Sequence, residues 1–263
     1  MTEVPSESRP ARPIMALGGL EVARFDASRQ AWFRLSVPEL TIRAGERICL
    51  VGRSGSGKTT LLEVLGLLSC PDALDRYDLS PYGDGRLLSV QEPILAGQAT
   101  VLSAIRSRTM GFVLQDGGLL PYLSVRDNAL LAAELAGQRG REIGERIEAL
   151  AAAMGIERML DRLPAGLSGG QRQRSAVLRA MASAPVILLA DEPTAALDGA
   201  TANEVMQVMV NAAKATGATL VMVSHNEDLA TRYGFTVRRL ETHTGSGGET
   251  STLAPLPQQV QSA

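Results

Sequence analysis

One eight-residue loop limits the possible folds of this chain more than any other segment, and its sequence is Gly52-Arg53-Ser54-Gly55-Ser56-Gly57-Lys58-Thr59. The loop fits the pattern G-x-x-x-x-G-K-[ST], in which glycines let main-chain N–H groups converge on phosphate oxygens at the N-terminus of a helix. An apolar run, 48–51, precedes the loop, and a helical pattern over 59–68 follows it. This setting predicts a strand, a phosphate-binding loop and a helix, and therefore an α/β fold that binds a nucleotide.

Two side chains of the loop suit the polyphosphate of a nucleotide. Lys58 is expected to neutralise charge on the β- and γ-phosphates, and the Thr59 hydroxyl to ligate Mg²⁺. The other residues of the loop, together with Thr60, are expected to line the phosphates.

A second apolar run, 186–190, ends in the acidic pair Asp191-Glu192. In phosphoryl transfer, an acid at such a strand end holds Mg²⁺ and a second acid polarises the attacking water. We assign Asp191 to the first role and Glu192 to the second. Solvated carboxylates at a strand end are common, and it is the phosphate-binding loop upstream that favours the catalytic interpretation.

A third motif, Leu167-Ser168-Gly169-Gly170-Gln171, indicates a second anion site at the start of a helix. The serine is a good N-cap, and the two glycines leave the amides of the first turn uncovered. The same five residues would also suit an ordinary capped helix, and their chemistry alone does not decide between the two.

The folded part of the chain alternates short apolar runs with helical patterns, which is typical of a parallel α/β sheet. Buried strands are predicted at 48–51, 112–114, 186–190 and 220–223, and an antiparallel edge sheet between 17 and 42. The predicted fold class is an α/β P-loop NTPase with a mostly parallel core sheet, an antiparallel β edge subdomain and an inserted helical subdomain.

The predicted domain organisation has three parts. Residues 1–16 are expected to form a disordered arm, 17–241 the folded domain, and 242–263 a flexible polar tail with too little apolar content to pack. Within the folded domain, 17–114 and 185–241 would form the core and 115–184 the helical subdomain.

Composition excludes several function classes. The 26 Lys and Arg residues against 28 Asp and Glu give a net charge of −2, which argues against a basic nucleic-acid platform. The longest internal run without a charge has 13 residues, 93–105, too short to span a bilayer. Two cysteines cannot form a disulfide framework and fit a reducing compartment. We therefore expect a soluble, intracellular, globular protein.

The order of these motifs resembles one family. The phosphate-binding loop, Gln115, the LSGGQ stretch, Asp191-Glu192 and His225 follow one another as in the ATP-binding subunits of ABC transporters, over residues 17–241. The stretches "GFVLQDGGLLPYLSVRDN" and "ILLADEPTAALD" look most like the lipoprotein-release, macrolide-export and cell-division branch. This resemblance implies ATP and Mg²⁺ as cofactors.

The resemblance also implies roles for individual residues. Gln115 would touch the Mg²⁺ and the nucleophilic water and sense the membrane partner, and His225 would contact the γ-phosphate. The catalytic set would thus be Glu192, His225, Gln115 and Lys58, and the metal ligands Thr59, Gln115 and Asp191. In the opposite subunit, the γ-phosphate would meet the Ser168-Gly169-Gly170-Gln171 turn, and Asp198 would link the two sites.

Phe25 lies 27 residues before Gly52, where family members usually carry a tyrosine that stacks on adenine. Phenylalanine keeps the π-face and loses only the hydroxyl. An ordinary edge-strand aromatic is the alternative for Phe25.

The chain departs from the family pattern at other positions too. Asn226 stands in place of the usual acid after the histidine, and Arg53 occupies a variable position of the loop. The match over 70–108 is looser, which leaves the substrate branch open.

The resemblance implies the ATPase subunit of an ABC transporter. Two chains head to tail would complete two sites, so we expect a homodimer that drives a separate integral-membrane permease and exports or extracts hydrophobic cargo. Its location would be cytoplasmic, peripheral at the inner face of the membrane, with no direct insertion and no nucleic-acid partner. A regulatory ABC ATPase that signals across the membrane is the alternative, and a soluble non-transport ABC ATPase is a third.

The uncharged segment 119–123 (Leu-Leu-Pro-Tyr-Leu) follows Gln115 and is expected to contact the membrane subunit. Packing within the helical subdomain is the alternative for these five residues.

Overall fold

The computed structural model describes residues 11–27, 30–245 and 248–255. The strands of this part of the chain are β1 (Pro13–Asp26), β2 (Ala31–Arg43), β3 (Arg47–Val51), β4 (Arg76–Leu79), β5 (Leu88–Ser89), β6 (Met110–Val113), β7 (Ile187–Asp191), β8 (Thr219–Val223), β9 (Thr236–Gly245) and β10 (Gly248–Leu253). The α-helices are α1 (Lys58–Leu65), α2 (Gln91–Leu95), α3 (Ala99–Thr109), α4 (Val125–Leu135), α5 (Arg141–Ala153), α6 (Gly169–Met181), α7 (Gly199–Thr216) and α8 (Glu227–Arg232).

All of these strands belong to one sheet, in the order β5-β4-β1-β2-β10-β9-β3-β8-β7-β6. Strands β9, β3, β8, β7 and β6 are parallel neighbours, whereas β1 pairs antiparallel with both β2 and β4. Strands β3, β8, β7 and β6 are short and apolar because both of their faces are covered, and every residue of β8 is buried, whereas β9 is longer and largely polar. The predicted parallel core with an antiparallel edge is confirmed.

The parallel arrangement decides where the functional loops meet. The carboxyl ends of β3, β8, β7 and β6 lie at the same edge of the sheet, and they are followed by the phosphate-binding loop, His225, Glu192 and Gln115 respectively. Ligands of open α/β sheets bind at this edge. The sheet therefore brings together motifs that are up to 173 residues apart in sequence, counting from Gly52 to His225.

Helices α4, α5 and α6 all fall within the predicted helical segment 115–184. Helix α5 buries Ile143, Ile147 and Ala151, whose spacing of four residues places them on one face of the helix. These residues join a hydrophobic cluster that reaches β7, β8 and α7, so the helical segment shares a core with the parallel sheet. A second cluster packs β1, β2 and α1 together.

The prediction of a flexible tail over 242–263 is wrong for the residues up to 255. Strand β9 continues to Gly245, and β10 lies between β9 and β2, with hydrogen-bonded neighbours on both sides. Ser251 and Leu253 are buried. Paired main-chain groups sustain a strand made largely of Thr, Ser and Glu, so low apolar content was a poor guide here.

The prediction of a disordered arm over 1–16 is also wrong for residues 13–16. Strand β1 begins at Pro13, and Ile14 and Met15 are fully buried, because β1 is paired on both sides. Residues 1–10 and 256–263 lie outside the described residues. In the part of the chain that the structure describes, no helix combines the length and apolar character needed to cross a membrane.

Candidate nucleotide site

The loop between β3 and α1 has the conformation that its glycines allow. Gly57 has φ of +84°, and a Cβ there would lie 2.6 Å from Cζ of Phe33. At Gly52 a Cβ would lie 2.6 Å from Oγ of Ser56. A side chain at either position would displace the loop, so glycine is required by close packing at both and by backbone conformation at Gly57.

Lys58 folds back over this loop. Its Nζ donates to the carbonyl oxygens of Gly52 at 3.0 Å and of Arg53 at 2.9 Å. Burial lowers the pKa of Lys58, and the nearby carboxylates of Glu192 and Asp191 act in the opposite direction. The ammonium group is thus held at the loop by two neutral carbonyl oxygens, which are weak acceptors. A charged phosphate oxygen is a stronger acceptor and can take their place.

Thr59 and Asp191 are in contact across the sheet edge. The Thr59 hydroxyl donates to Oδ1 of Asp191 at 3.3 Å, and burial raises the pKa of that carboxyl. A hydroxyl and a carboxylate are the oxygen ligands that Mg²⁺ takes beside phosphate oxygens. The pair fits the predicted metal ligands, and a bound cation would relieve the burial of the Asp191 charge.

Glu192 and His225 form the second contact of the site. Nε2 of His225 lies 2.7 Å from Oε1 of Glu192, and the Glu192 side chain is mostly buried. Glu192 adopts φ of +45°, in the left-handed region that residues with a side chain rarely occupy. Its N–H donates to the carbonyl of Val223 at 3.0 Å, which holds this conformation against the end of β8. Backbone strain of this kind concentrates at functional sites.

One open cavity of about 530 Å³ is lined by Lys58, Thr59, Glu192 and His225. Of the residues predicted from sequence, the cavity brings together Phe25, Ser54, Gly55, Gly57, Lys58, Thr59, Thr60, Glu192 and His225. Its volume is within the range of small-molecule sites. Gly52, Arg53, Ser56 and Asp191 belong to the adjoining loop and strand without lining the cavity itself.

The cavity is also lined by three residues that were not predicted from the sequence, Arg24, Phe33 and Glu249. Arg24 is the register partner of Phe33 on β1 and β2, and Phe33 is the partner of Glu249 on β10. The three form a row across neighbouring strands. The alternation of β2 could have indicated Phe33, whereas nothing in the sequence placed Glu249 beside the phosphate-binding loop.

The turn that starts α6 lies apart from this cavity. Oγ of Ser168 accepts from the N–H of Gln171 at 3.3 Å, and Oε1 of Gln171 accepts from the N–H of Ser168 at 3.0 Å. This reciprocal pair is a capping box. A Cβ at Gly170 would lie 2.5 Å from Cγ2 of Thr201, so the turn packs closely on the start of α7.

Asp198 caps that second helix. Its carboxylate accepts from the N–H groups of Ala200 and Thr201 at 3.1 and 3.0 Å, and hydrogen bonds from Thr201 are the main cause of its lowered pKa. Asp198 and the Ser168 turn therefore adjoin through Thr201. Gln115, two residues after the end of β6, is exposed and is not among the residues that line the cavity.

Residues 35–195, more than half of the chain, match the family described as ABC transporter. The chain belongs to the ABC transporter family. Within that family, this ABC ATPase is similar to the lipoprotein-releasing system ATP-binding protein LolD of Gluconobacter oxydans (strain 621H), with 38% identity over 81% of this chain and 88% of that protein.

A second relative is the macrolide export ATP-binding/permease protein MacB of Psychrobacter arcticus (strain DSM 17307 / VKM B-2377 / 273-4). This ABC ATPase is 36% identical to it over 83% of its own residues, which span only 31% of that longer protein. The predicted resemblance to the lipoprotein-release and macrolide-export branch is confirmed.

Solved structures agree with the fold. The ATP-binding cassette MJ0796, in a dimeric post-hydrolysis state bound to ADP and Pi, superposes with a TM-score of 0.72 at 30% identity, covering 87% of this chain and 94% of that one. Family and fold together confirm the prediction of a P-loop ATPase of the ABC type. The roles of the individual site residues stay predictions.

Proposed function

We propose that this ABC ATPase hydrolyses ATP in a head-to-tail homodimer and drives a separate integral-membrane permease that exports or extracts hydrophobic cargo. One observation carries the proposal. Lys58, Thr59, Glu192 and His225 line one cavity, whereas the glycine-rich turn at Ser168 does not. The predicted second anion-binding turn of the chain thus lies outside the chain's own nucleotide cavity.

In the proposed reaction, each side chain acts on a different part of the ATP. Lys58 leaves the carbonyls of Gly52 and Arg53 for the β- and γ-phosphate oxygens. Thr59 and Asp191 would hold Mg²⁺, which supplies charge neutralisation at the phosphates. Glu192 accepts a hydrogen bond from the attacking water and polarises it.

His225 completes the reaction centre. Its contact with Glu192 fixes the direction of that carboxylate, and its exposed ring can also donate to the γ-phosphate. Phe25 is half exposed at the mouth of the cavity, next to Trp32, with ring centroids 5.4 Å apart. That position suits stacking on the adenine base.

The second subunit would supply what the cavity lacks. The capping box at Ser168 does not use the N–H groups of Gly169 and Gly170, and these suit the γ-phosphate of the opposite chain. Two solved structures of the cassette MJ0796 are dimeric, which supports this assembly.

The permease is proposed to dock in an apolar groove of about 420 Å³ between α3 and β6 on one side and α4 and α6 on the other. Three exposed leucines line it, Leu68, Leu114 and Leu135, and Tyr122, two residues after the lining residue Leu120, is 73% exposed. Isolated apolar side chains are normal on a surface, but several around one groove favour an interface. The relative named ATP-binding/permease carries both functions in its name, which favours a membrane permease as the occupant.

Docking there would make this ABC ATPase a peripheral protein at the cytoplasmic face of the membrane. The groove adjoins Leu114, the residue before Gln115, so an occupant of the groove would touch the chain next to the ATP site.

The dimer mechanism is tested with Glu192→Gln, which keeps the side-chain shape but cannot polarise water as a carboxylate does. We expect the variant to bind Mg·ATP, lose most turnover and run as a dimer on a sizing column with ATP, and as a monomer without it. Lys58→Ala is the control, since it should lose nucleotide affinity itself and stay monomeric. An ATP-loaded Glu192→Gln chain that remains monomeric would refute the shared site.

A further inference from the structure

Strand β10 brings a carboxylate to the nucleotide cavity. Glu249 lines this cavity, and it is the register partner of Phe33 on β2. Because side chains alternate between the two faces of a strand, Glu249 shares a face with Ser251 and Leu253, which are 0% and 3% exposed. Leu253 belongs to the same hydrophobic cluster as the buried residues of α1. Glu249 is therefore on the side of the sheet where α1 and the phosphate-binding loop lie.

The main chain around Glu249 is fixed on both sides. Gly248 has φ of +129°, and a Cβ there would overlap the carbonyl oxygen of Trp32 on β2. Glycine thus allows β10 to approach β2 closely just before Glu249. On the other side, Oγ of Ser251 and Oγ1 of Thr242 on β9 lie 2.8 Å apart, within hydrogen-bonding distance. The carboxylate is thus carried by a strand that is already in place without a nucleotide.

The charge of Glu249 is not used elsewhere in the described structure. Within residues 11–27, 30–245 and 248–255, no basic side chain forms an ion pair with it. In the same cavity, Nη1 of Arg24 pairs with Oδ2 of Asp72 at 3.3 Å, and Lys58 donates to two carbonyls of the loop. An ionised carboxylate only accepts hydrogen bonds. Its partner in a ligand must therefore be a donor, which excludes the phosphate oxygens.

The order of the strands indicates which part of a nucleotide the carboxylate meets. From the phosphate-binding loop outward, the order is β3, β9, β10, β2 and β1. The loop follows β3, Glu249 is on β10, and Phe25, which is proposed to stack on adenine, is on β1. Neighbouring strands are about 4.8 Å apart, so β10 is roughly 10 Å from β3 and roughly 10 Å from β1. In a nucleotide, the ribose lies between the phosphates and the base, and its hydroxyls are donors.

We propose that Glu249 is a specificity-determining residue, which accepts hydrogen bonds from the ribose hydroxyls and makes the site prefer ribonucleotides to their deoxy forms. An acidic side chain holds the ribose in the same way in dinucleotide-binding folds. A site built to bind a hydroxyl discriminates against an analogue that lacks it, because the polar group of the site then loses its partner. This inference rests on the proposed binding of ATP, with its phosphates at the loop and its base at Phe25.

Equilibrium binding of nucleoside diphosphates to the full-length chain tests the proposal without turnover. Isothermal titration calorimetry gives Kd for ADP and for 2′,3′-dideoxyADP, in the natural chain and in Glu249→Ala. We expect the natural chain to bind ADP about tenfold more tightly than the dideoxy form. Glu249→Ala should weaken ADP binding about tenfold and change binding of the dideoxy form less than twofold. Equal weakening for the two nucleotides, or no preference in the natural chain, would overturn the proposal.

GDP distinguishes a ribose contact from a base contact. A carboxylate can also accept from the N–H groups of a base, and Glu249→Ala would then change the ratio of the affinities for ADP and GDP. We expect that ratio to change less than twofold, since the two nucleotides share the same ribose. A larger change, with no loss of the preference for ADP over its dideoxy form, would assign Glu249 to the base and overturn the ribose contact.

The matched control is Glu241→Ala. Glu241 is exposed on β9, opposite Thr252 of β10, and it does not line the cavity. We expect both Kd values to stay within twofold of those of the natural chain. Should Glu249→Ala fail to fold, Glu249→Gln keeps the side-chain length and one neutral acceptor oxygen. It should narrow the preference for ADP from about tenfold to about threefold, and an unchanged preference would overturn the proposal.

Lys58→Ala separates this proposal from the one it rests on. We expect this variant to bind ADP at least tenfold more weakly, because the ammonium group is proposed to neutralise the β-phosphate. A Lys58→Ala chain with the natural affinity for ADP would overturn the nucleotide site and the role of Glu249 together. A loss of affinity in Lys58→Ala, combined with equal weakening of both nucleotides in Glu249→Ala, would overturn only the ribose contact.

Discussion

Nε2 of His225 and Oε1 of Glu192 lie 2.7 Å apart because the strands that carry them are neighbours. Strand β7 ends one residue before Glu192, and β8 ends two residues before His225. The parallel register sets the two side chains at one edge, and the hydrogen bond from Glu192 N–H to Val223 locks the first of them in its left-handed conformation. The pair thus depends on the sheet and on no local sequence pattern.

Replacing His225 by Ala should lower kcat about a hundredfold and change KM for ATP less than threefold, within the usual effect of losing a group that assists proton transfer. The reason is that Glu192 would lose its hydrogen-bonding partner while the phosphate-binding loop stays intact. Steady-state ATPase assays measure both constants. His243→Ala is the matched control, since His243 is the other histidine of the chain and lies exposed on β9. Equal losses in the two variants would contradict a role for His225.

Asp191→Asn should stabilise the nucleotide-free protein, and more so as the pH rises. Burial raises the pKa of Asp191, so its charged form costs folding free energy that is absent at low pH and fully present above the raised pKa. Chemical denaturation between pH 4 and pH 7 should show that the free energy of unfolding of the variant increases relative to that of the natural chain as the pH rises. The same variant should weaken the Mg²⁺ dependence of ATP binding.

The stability of the Asp198→Asn variant should change with pH in the opposite direction. Hydrogen bonds from Thr201 lower the pKa of Asp198, so its charged form favours the folded state above the ordinary carboxyl pKa. This variant should lose stability relative to the natural chain as the pH rises, and a gain would show that the pH dependence does not follow the two carboxylates.

Deletion of 242–263 should lower the free energy of unfolding by about 3 kcal/mol and Tm by roughly 10 °C, whereas deletion of 256–263 should change Tm by about 1 °C or less. The longer deletion removes β10, and it leaves the buried guanidinium of Arg238 without the Ala254 carbonyl that accepts from its Nη2 at 3.0 Å. Differential scanning fluorimetry distinguishes the two truncations. A longer truncation as stable as the shorter one would show that β10 adds little to the core.

Tyr122→Asp should keep the fold and the basal ATPase activity of the isolated subunit and reduce its association with the permease at least tenfold. Tyr122 is 73% exposed, so the added charge is solvated and does not enter a core. Co-purification with the membrane subunit, once identified, gives the readout, and Tyr82→Asp is the control because Tyr82 is 77% exposed on another loop. A Tyr122→Asp subunit that associates with the permease as well as the natural chain does would rule out docking at 119–123.

The motif residues were accessible from sequence because each depends on a few neighbours in the chain. The phosphate-binding loop needs two glycines in fixed places, the capping box needs Ser168 and Gln171 three residues apart, and α5 shows its buried face in its own periodicity. Local geometry and local burial determine such features, so a single sequence contains them.

Strand β10 was missed for a physical reason. Its residues are polar, and only the two strands beside it, β9 and β2, supply the main-chain partners that make it a strand. The same pairing places Glu249 at the nucleotide cavity, because its register partner on β2 is Phe33. The ring of Phe33 in turn packs against Gly57. Pairing between segments more than 200 residues apart leaves no periodic signal in either one.

The amino-acid sequence was sufficient to predict the family of this ABC ATPase and its available chemistry, from the ammonium of Lys58 to the carboxylate of Glu192. The tertiary structure was needed to establish which of those groups meet. It joined His225 to Glu192, brought Glu249 to the nucleotide cavity, and kept the Ser168 turn out of the cavity. Those contacts depend on strand order and helix packing, which sum many weak interactions over the whole chain, whereas a motif depends on a few covalently linked neighbours.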